Sequence, residues 1–440
     1  MSYAIYPRGV TFMPPMVEQK TGGYVIPAHR RSLIDISSSG GFASLGANGW
    51  RIADAIQRQI TLLPCIDAYA FTCNAIERAA SDILHELGEQ FYIGGKAGFY
   101  SSEAEAVEAA CMLAVQTRLQ INKSVKIITR RHDDHGSTPF TLLLGDQSRG
   151  SVLVTMGMNA AVKSFDAFAP HLQKLTINAS EMLSLNTLVD ALVADDRASI
   201  VIMEPVGGMR SGISPPTSAY LREVRKLCTN YGAILIYNET LSGHYRTGKF
   251  TSWQTFVPEG ESADDYAPDI VVLGRGITGG YFPVGAVALS QTLAERLYTR
   301  RNKPALRNNT MNNPIAAAAI TATMTAYTQT KDMQRATHAR CAELAKSLRL
   351  QPHIKSVQGV GSLYGICFPG GRNTDTELRG QMFEQGVSVS ARSGYHKGRD
   401  AMFMLSPPID LVPADFDSVN AAVRELRLTP VKHVVRAFDT

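Results

Sequence analysis

Apolar runs of strand length recur through the chain without polar alternation. Val125–Thr129, Ser199–Met203 (SIVIM), Ala233–Tyr237 (AILIY) and Ile270–Leu273 (IVVL) have the pattern of strands covered on both faces of a sheet. Ser151–Thr155 predicts one more strand. Between and around these runs, Ala104–Gln120, Thr217–Tyr231 and Thr292–Arg300 carry helical periodicity. Strands alternating with helices in this way predict an α/β unit built on a parallel sheet.

The flanks differ from this middle. The first 70 residues hold Gly/Pro punctuation, a strand-like patch at Leu33–Ser37 and a helical pattern from Trp50 to Thr61. Pro314–Tyr327 (PIAAAAITATMTAY) predicts a buried helix with proline in its first turn; it is too short to span a bilayer. After about residue 328 come a helix at Lys331–Leu348, strands at Gly361–Phe368, Val387–Ser390 and Ala401–Leu405, and a helix at Pro413–Leu426. The expected organisation is an N-terminal segment, 1–70, that joins a small C-terminal α+β domain, 329–440, with a large domain, 71–328, between them.

Charge and cysteine content narrow the partners. With 44 basic and 39 acidic side chains in 440 residues, the net charge is only +5, too dilute for the concentrated basic face that nucleic-acid binding needs. The six cysteines are scattered with no C-x-x-C pair, the usage of a reducing cytoplasm. The first twenty residues show no basic stretch followed by an apolar one, so no secretory signal is expected. These features predict a cytoplasmic protein that engages neither membrane nor nucleic acid.

An ordered series of motifs adds a family. VIMEPVGG contains Glu204, GAILIYNET contains Asn238 and Glu239, GHYRTGKF contains Arg246, and PDIVVLGRGITGGYFPVGAV contains Arg275. EAVEAA from Glu105, the pair His135–Gly136, TMNNPIA from Thr310 and LSPPI from Leu405 complete the series. With the opening RSLIDIS, LGANGW and AIQRQ, this order resembles the class III aminotransferases, enzymes of the pyridoxal-phosphate (PLP) fold-type I group, over nearly the whole chain. The resemblance implies a large domain with a mostly parallel seven-stranded sheet, a smaller α+β domain, and a homodimer whose pocket lies at the subunit interface.

Against that family, the residues expected around the coenzyme depart at four places. The family's chemistry needs a lysine amine for the Schiff base and a carboxylate that keeps the pyridine nitrogen protonated. The lysine position holds Arg275, whose guanidinium does not deprotonate in proteins and cannot attack an aldehyde as an amine does. The carboxylate position holds Asn238. The phosphate cup at a helix N-terminus reads Ser102, Glu103, Ala104, and the stacking aromatic before His135 is Asp134. A carboxylate about 5 Å from a phosphate opposes it by roughly 3 kcal/mol per phosphate charge at an effective dielectric near 20. Met404 stands where many relatives carry an arginine for the substrate carboxylate. These departures predict that PLP has been lost.

The candidate site is then polar: Asp134, His135 and Glu239 as acid–base groups and Arg275 as anion anchor. Glu103, Ala104, Glu204, Asn238, Arg246, Thr310 and Met404 are the expected ligand-facing positions. Arg275 has an alternative, an ion pair with Glu103 or Glu239 that plugs the vacated space. His135, Glu204 and Arg246 have scaffold roles as theirs, and Thr310 a place in a dimer interface. RRHDDH (130–135) lacks a second ligand pair at metal spacing, so no metal is expected. The function expected is proton transfer on a small polar, anionic metabolite, as in cyclisation, condensation, isomerisation or decarboxylation. A non-catalytic partner of an active transaminase and a protein with non-covalent PLP or its amine form, PMP, are the alternatives.

Overall fold

The computed structural model describes residues 16–28, 30–119, 124–145, 172–299, 304–305, 308–370, 374–394 and 400–428. Fifteen strands among them form three sheets. The central sheet holds β4 (Lys96–Tyr100), β5 (Val125–Arg130), β6 (Leu172–Ile177), β7 (Ala198–Met203), β8 (Ile234–Asn238), β9 (Ile270–Leu273) and β10 (Gly285–Leu289). Their order is β4-β10-β9-β8-β7-β5-β6. Only β10 runs against the rest, so the mostly parallel seven-stranded sheet is found. The strand expected at Ser151–Thr155 lies outside the described residues.

Alternation along the central strands sorts two cores. Ile200, Ile202, Ile234, Ile236, Ile270 and Val272 pack on one face against the alanine-rich helix Glu103–Leu119. Val201, Met203, Leu235 and Tyr237 pack on the other, with helices Glu181–Val193 and Ser218–Asn230. Covering on both faces is why β5, β8, β9 and β10 are buried along their entire length. Lys126 is buried within β5 because its ammonium reaches the Leu192 carbonyl at 3.1 Å and Asp195 Oδ1 at 3.2 Å.

The other two sheets link the ends of the chain. β1 (Val17–Thr21), β2 (Tyr24–Pro27) and β3 (Leu33–Asp35) make an antiparallel run, and β3 pairs in parallel with β13 (Val387–Ser388). The third sheet orders β11 (Ser356–Val360), β12 (Leu363–Pro369), β15 (Asp400–Leu405) and β14 (Ser390–Gly394). The expected Leu33–Ser37 strand ends at Asp35. Beyond Ser37 four residues turn left-handed, with φ of 47° at Ser38, 52° at Ser39, 82° at Gly40 and 90° at Gly41.

Such a backbone costs about 1–2 kcal/mol per non-glycine residue, and hydrogen bonds hold it. Asp35 accepts from the Ser37 and Ser39 amides at 3.1 and 2.7 Å and from the Ser39 hydroxyl at 2.9 Å. Ser37 and Ser38 donate to the carbonyls of Met404 and Ser406, each at 2.6 Å. Among the described residues, no helix is long and apolar enough to cross a membrane, and no group of three His, Cys, Asp or Glu side chains could hold a metal ion.

Candidate active site

The carboxyl ends of β5, β7, β8 and β9 lead into one cavity of about 440 Å³, the edge at which open α/β sheets bind ligands. Asp134, His135 and Gly136 line it after β5, Glu204 after β7, Thr240 after β8 and Arg275 after β9. Ser102, Glu103 and Ala104 bring the start of helix Glu103–Leu119 to the same space. Gly136 (φ 129°) admits this helix end; a Cβ there would stand 2.8 Å from Ala104 Cβ.

Glu103 and Arg275 meet across the cavity floor. Glu103 Oε1 accepts the Arg275 amide at 2.7 Å, and its other oxygen lies 3.5 Å from Arg275 Nε. Gly274 permits this approach, since a Cβ would meet Glu103 Cγ at 2.5 Å. Arg275 also donates to the Gly40 carbonyl at 2.7 Å and stacks its guanidinium over Phe42 at 5.7 Å, so it fastens the left-handed turn beside the cavity. Arg275 itself is strained, at φ 33°. Burial pushes the Glu103 carboxyl above its ordinary value, against the pull of Arg275. The geometry supplies the ion pair that sequence reasoning held open as an alternative for Arg275.

Asp134 is bracketed by two arginines. Its Oδ2 lies 3.5 Å from Arg392 Nη1 on β14 and 3.9 Å from Arg210 Nε after β7. Its neighbour Asp133 turns inward, where Oδ1 accepts from Arg130 Nε and Nη2 at 3.1 and 3.0 Å. Glu204 Oε2 accepts the amides of Asp134 and Gly208 at 3.0 and 3.3 Å. Burial first, then the carboxylates of Asp133 and Asp134, push the Glu204 carboxyl well above its ordinary value.

Asn238 fixes the state of His135. The Asn238 oxygen accepts from the Thr240 amide and hydroxyl at 3.2 and 2.7 Å, which orients its NH₂ toward the Asp134 carbonyl at 3.1 Å and His135 Nδ1 at 3.3 Å. His135 Nδ1 therefore accepts, and the ring proton sits on Nε2. In this arrangement the neutral ring presents an N–H at Nε2.

Several expected residues stand away from the cavity. Glu239 is buried beneath it, its carboxylate accepting from Ser242 Oγ at 2.5 Å, Ser252 Oγ at 2.7 Å and the Trp253 amide at 3.0 Å. Those contacts engage both of its carboxylate oxygens inside the fold. Arg246 is also buried: it donates to Ser406 Oγ at 3.1 Å and to the Gly41 carbonyl, holding the left-handed turn from its other side. Met404 lies in an apolar cluster with Leu241, Leu363, Cys367 and Met402. Thr310 is exposed and meets Ser101 Oγ at 2.6 Å. The amide of Asn238 is fully committed inside the fold. Conversely Phe42, Arg210 and Arg392 belong to the site without having been expected. Nothing in SSGGF or SARSG marks Phe42 or Arg392, because only the chain's folding back brings the turn after β3 and β14 to this edge, and nothing in GMRSG marks Arg210.

A PLP ring bonded through residue 275 does not fit these groups. Arg275 offers no amine, and Asn238 has neither charge nor a free donor for a ring nitrogen.

Comparison with known proteins extends this picture. The family described as Aminotransferase class-III matches residues 5–405. An uncharacterized aminotransferase of Bacillus subtilis, YhxA, is 25% identical over 441 residues, covering 95% of this chain and 93% of its own length. Acetylornithine aminotransferase of Vibrio vulnificus is 32% identical over 241 residues, covering 54% of this chain and 51% of its own. Among solved structures, a Bacillus anthracis aminotransferase superposes with a TM-score of 0.82 at 19% identity, covering 96% of this chain and 95% of its own. The taurine:2-oxoglutarate aminotransferase of Bifidobacterium kashiwanohense, solved with PLP and glutamate, gives 0.80 at 18% identity, over 96% and 95% of the two chains.

These matches correct the expectation that the coenzyme has been lost. The family is PLP-dependent, a relative of the same fold carries PLP, and nothing in this chain shows that PLP is gone. The substitutions at 275 and 238 bear on how a coenzyme is tethered and protonated, which is narrower than whether one binds. On a match that runs through nearly all of its length, this chain belongs to the class III aminotransferase family.

Proposed function

We propose that this family member binds a small polar, anionic metabolite in the cavity above the central sheet and moves protons on it with its own side chains. The single observation that carries the reading is the set of charges lining one cavity. Arg275 with Glu103 stands at one side and Asp134 with Arg392 at another, with Arg210 behind Asp134 at 3.9 Å. Two guanidinium groups beside Asp134 favour an anionic group on the bound molecule. Arg275 keeps guanidinium donors beyond those given to Gly40 and Glu103, and these orient a second polar group. Asp134, held beside its arginines, is the proton acceptor; His135 donates through Nε2–H. The active form is a homodimer, as the family resemblance implies.

A second reading, PLP or PMP held without a bond to residue 275, is favoured by the PLP carried by the taurine relative. One experiment addresses both. Protein purified from its native host is denatured, and the released small molecules are identified by mass spectrometry beside an absorbance spectrum of the intact protein. An anionic metabolite that co-purifies with wild type, and is depleted at least tenfold in folded Asp134→Ala and Arg275→Ala, is the expected result. A coenzyme absorbance band supports the second reading. Wild type that releases no anion and shows no heat of binding for 2-oxoglutarate, glutamate or inorganic phosphate sinks the first.

A further inference from the structure

Three carboxyl groups lie at the ends of β5 and β7, and among the described residues only two of them are in ion-pair contact with a cation. Asp133 has Arg130, and Asp134 has Arg210 and Arg392. Glu204 has two backbone N–H groups, both on Oε2, and among the described residues no lysine or arginine nitrogen lies within 4 Å of its carboxyl. Arg130 donates to the Glu204 backbone carbonyl at 2.5 Å and favours the ionised carboxyl only weakly, behind burial and the two neighbouring carboxylates that oppose it. Elsewhere around the cavity Arg275 is engaged with Glu103, and His135 has its proton on Nε2. Glu204 is 3% exposed and yet lines the cavity. Gly208 leaves room for its carboxyl, since a Cβ there would stand 2.6 Å from Oε1.

A buried carboxylate beside two others, without a cation of its own, is the one of the three for which ionisation is most costly. We propose that Glu204 is the proton donor of the cavity: a neutral carboxylic acid fixed through Oε2, presenting the Oε1 hydroxyl to a basic oxygen or nitrogen of the bound metabolite. The inference rests on the proposed function for its ligand, though not for the protonation of Glu204. In the step, the ligand atom contributes the electron pair of the new bond to hydrogen. The pair of the Oε1–H bond stays on Oε1, and the carboxylate so formed keeps the amides of Asp134 and Gly208. Water returns the proton after release. Asp134, paired with two arginines, takes a proton elsewhere on the same ligand, so the two carboxyls have opposite roles set by their surroundings. Glu204→Gln keeps the shape and both amide contacts and removes only the transferable proton.

Infrared difference spectroscopy of ligand-free protein reads this state directly. At about pH 7 ordinary carboxyls are ionised, so a protonated-carboxyl carbonyl band is expected in wild type, and Glu204→Gln is expected to remove the Glu204 component from it, resolved in the wild-type-minus-variant difference. Because the cavity is open, the band should shift promptly in heavy water. The donor role is read with 2-oxoglutarate as probe, by NMR of deuterium entry into its C3 methylene. Exchange is expected to fall by about 10²-fold in Glu204→Gln, with probe affinity kept within about twofold. A wild-type spectrum that Glu204→Gln leaves unchanged overturns the proposal, as does undiminished exchange in that variant. If wild type neither binds nor exchanges the probe, the donor role toward such a carbonyl is overturned while the band still decides the protonation. Loss of the co-purifying anion is the separate failure of the proposed function.

Discussion

Glu103 and Arg275 sit 172 residues apart in sequence, yet the carboxylate of one accepts the backbone N–H of the other at 2.7 Å and pairs with its guanidinium at 3.5 Å. The two side chains are 26% and 22% exposed, so water screens the pair only in part. Through Arg275 the pair also reaches Gly40, and thereby couples the start of a helix, the end of β9 and the left-handed turn.

Breaking one side of that pair should cost more than removing both. Glu103→Gln or Arg275→Met alone is expected to lower stability by about 2 kcal/mol, because each leaves a largely buried partner uncompensated. The double variant should recover at least half of the summed loss, as urea denaturation in a double-mutant cycle would report. Strict additivity would mean that the contact carries no coupling.

Arg275→Lys tests the meaning of position 275. An amine there can condense with an added aldehyde coenzyme, whereas the guanidinium cannot. After incubation with PLP and borohydride reduction, peptide mass spectrometry should find a pyridoxyl group at position 275 in the variant and not in wild type. An unmodified residue in folded Arg275→Lys would show that the backbone at φ 33° points the side chain away from the coenzyme's place.

Glu239 should behave as structure, not chemistry. Its carboxylate satisfies Ser242, Ser252 and the Trp253 amide inside the fold, so Glu239→Ala is expected to cost about 3–4 kcal/mol. Affinity of the remaining folded protein for 2-oxoglutarate should change less than twofold. Calorimetry showing unchanged stability with lost binding would return Glu239 to the active groups.

Glu204 gives stability a slope with pH. A carboxyl raised in the folded state lends stability below its unfolded value of about 4.3 and gives it up as pH climbs through the folded value. Since burial and two acidic neighbours raise Glu204, wild type should lose this contribution from about pH 4.3 upward. Glu204→Gln has no such proton to lose. Its stability relative to wild type should therefore rise with pH across that window, as denaturation at a series of pH values would show. A parallel pair of curves would contradict the raised value.

Local pattern and motif order by themselves determined the family, the buried central strands and most helices. Ile270–Leu273 and Lys331–Leu348 were legible to the residue, because a fully covered strand and a long amphipathic helix each announce themselves within one window. The resemblance also implied that Arg275 and Asn238 occupy the coenzyme positions. Tertiary structure alone decided which charged residues face the cavity. Glu239 and Asn238 adjoin in sequence, but the turn after β8 sends one carboxylate down to Ser252 and spends the other's amide on Thr240, His135 and Asp134. Arg392 and Phe42 come to the site from opposite ends of the chain, by sheet pairing and a strained turn that no local periodicity encodes. Where a carboxylate's charge goes depends on which cations lie within a few ångströms, and that distance is set by long-range packing rather than by neighbours in sequence.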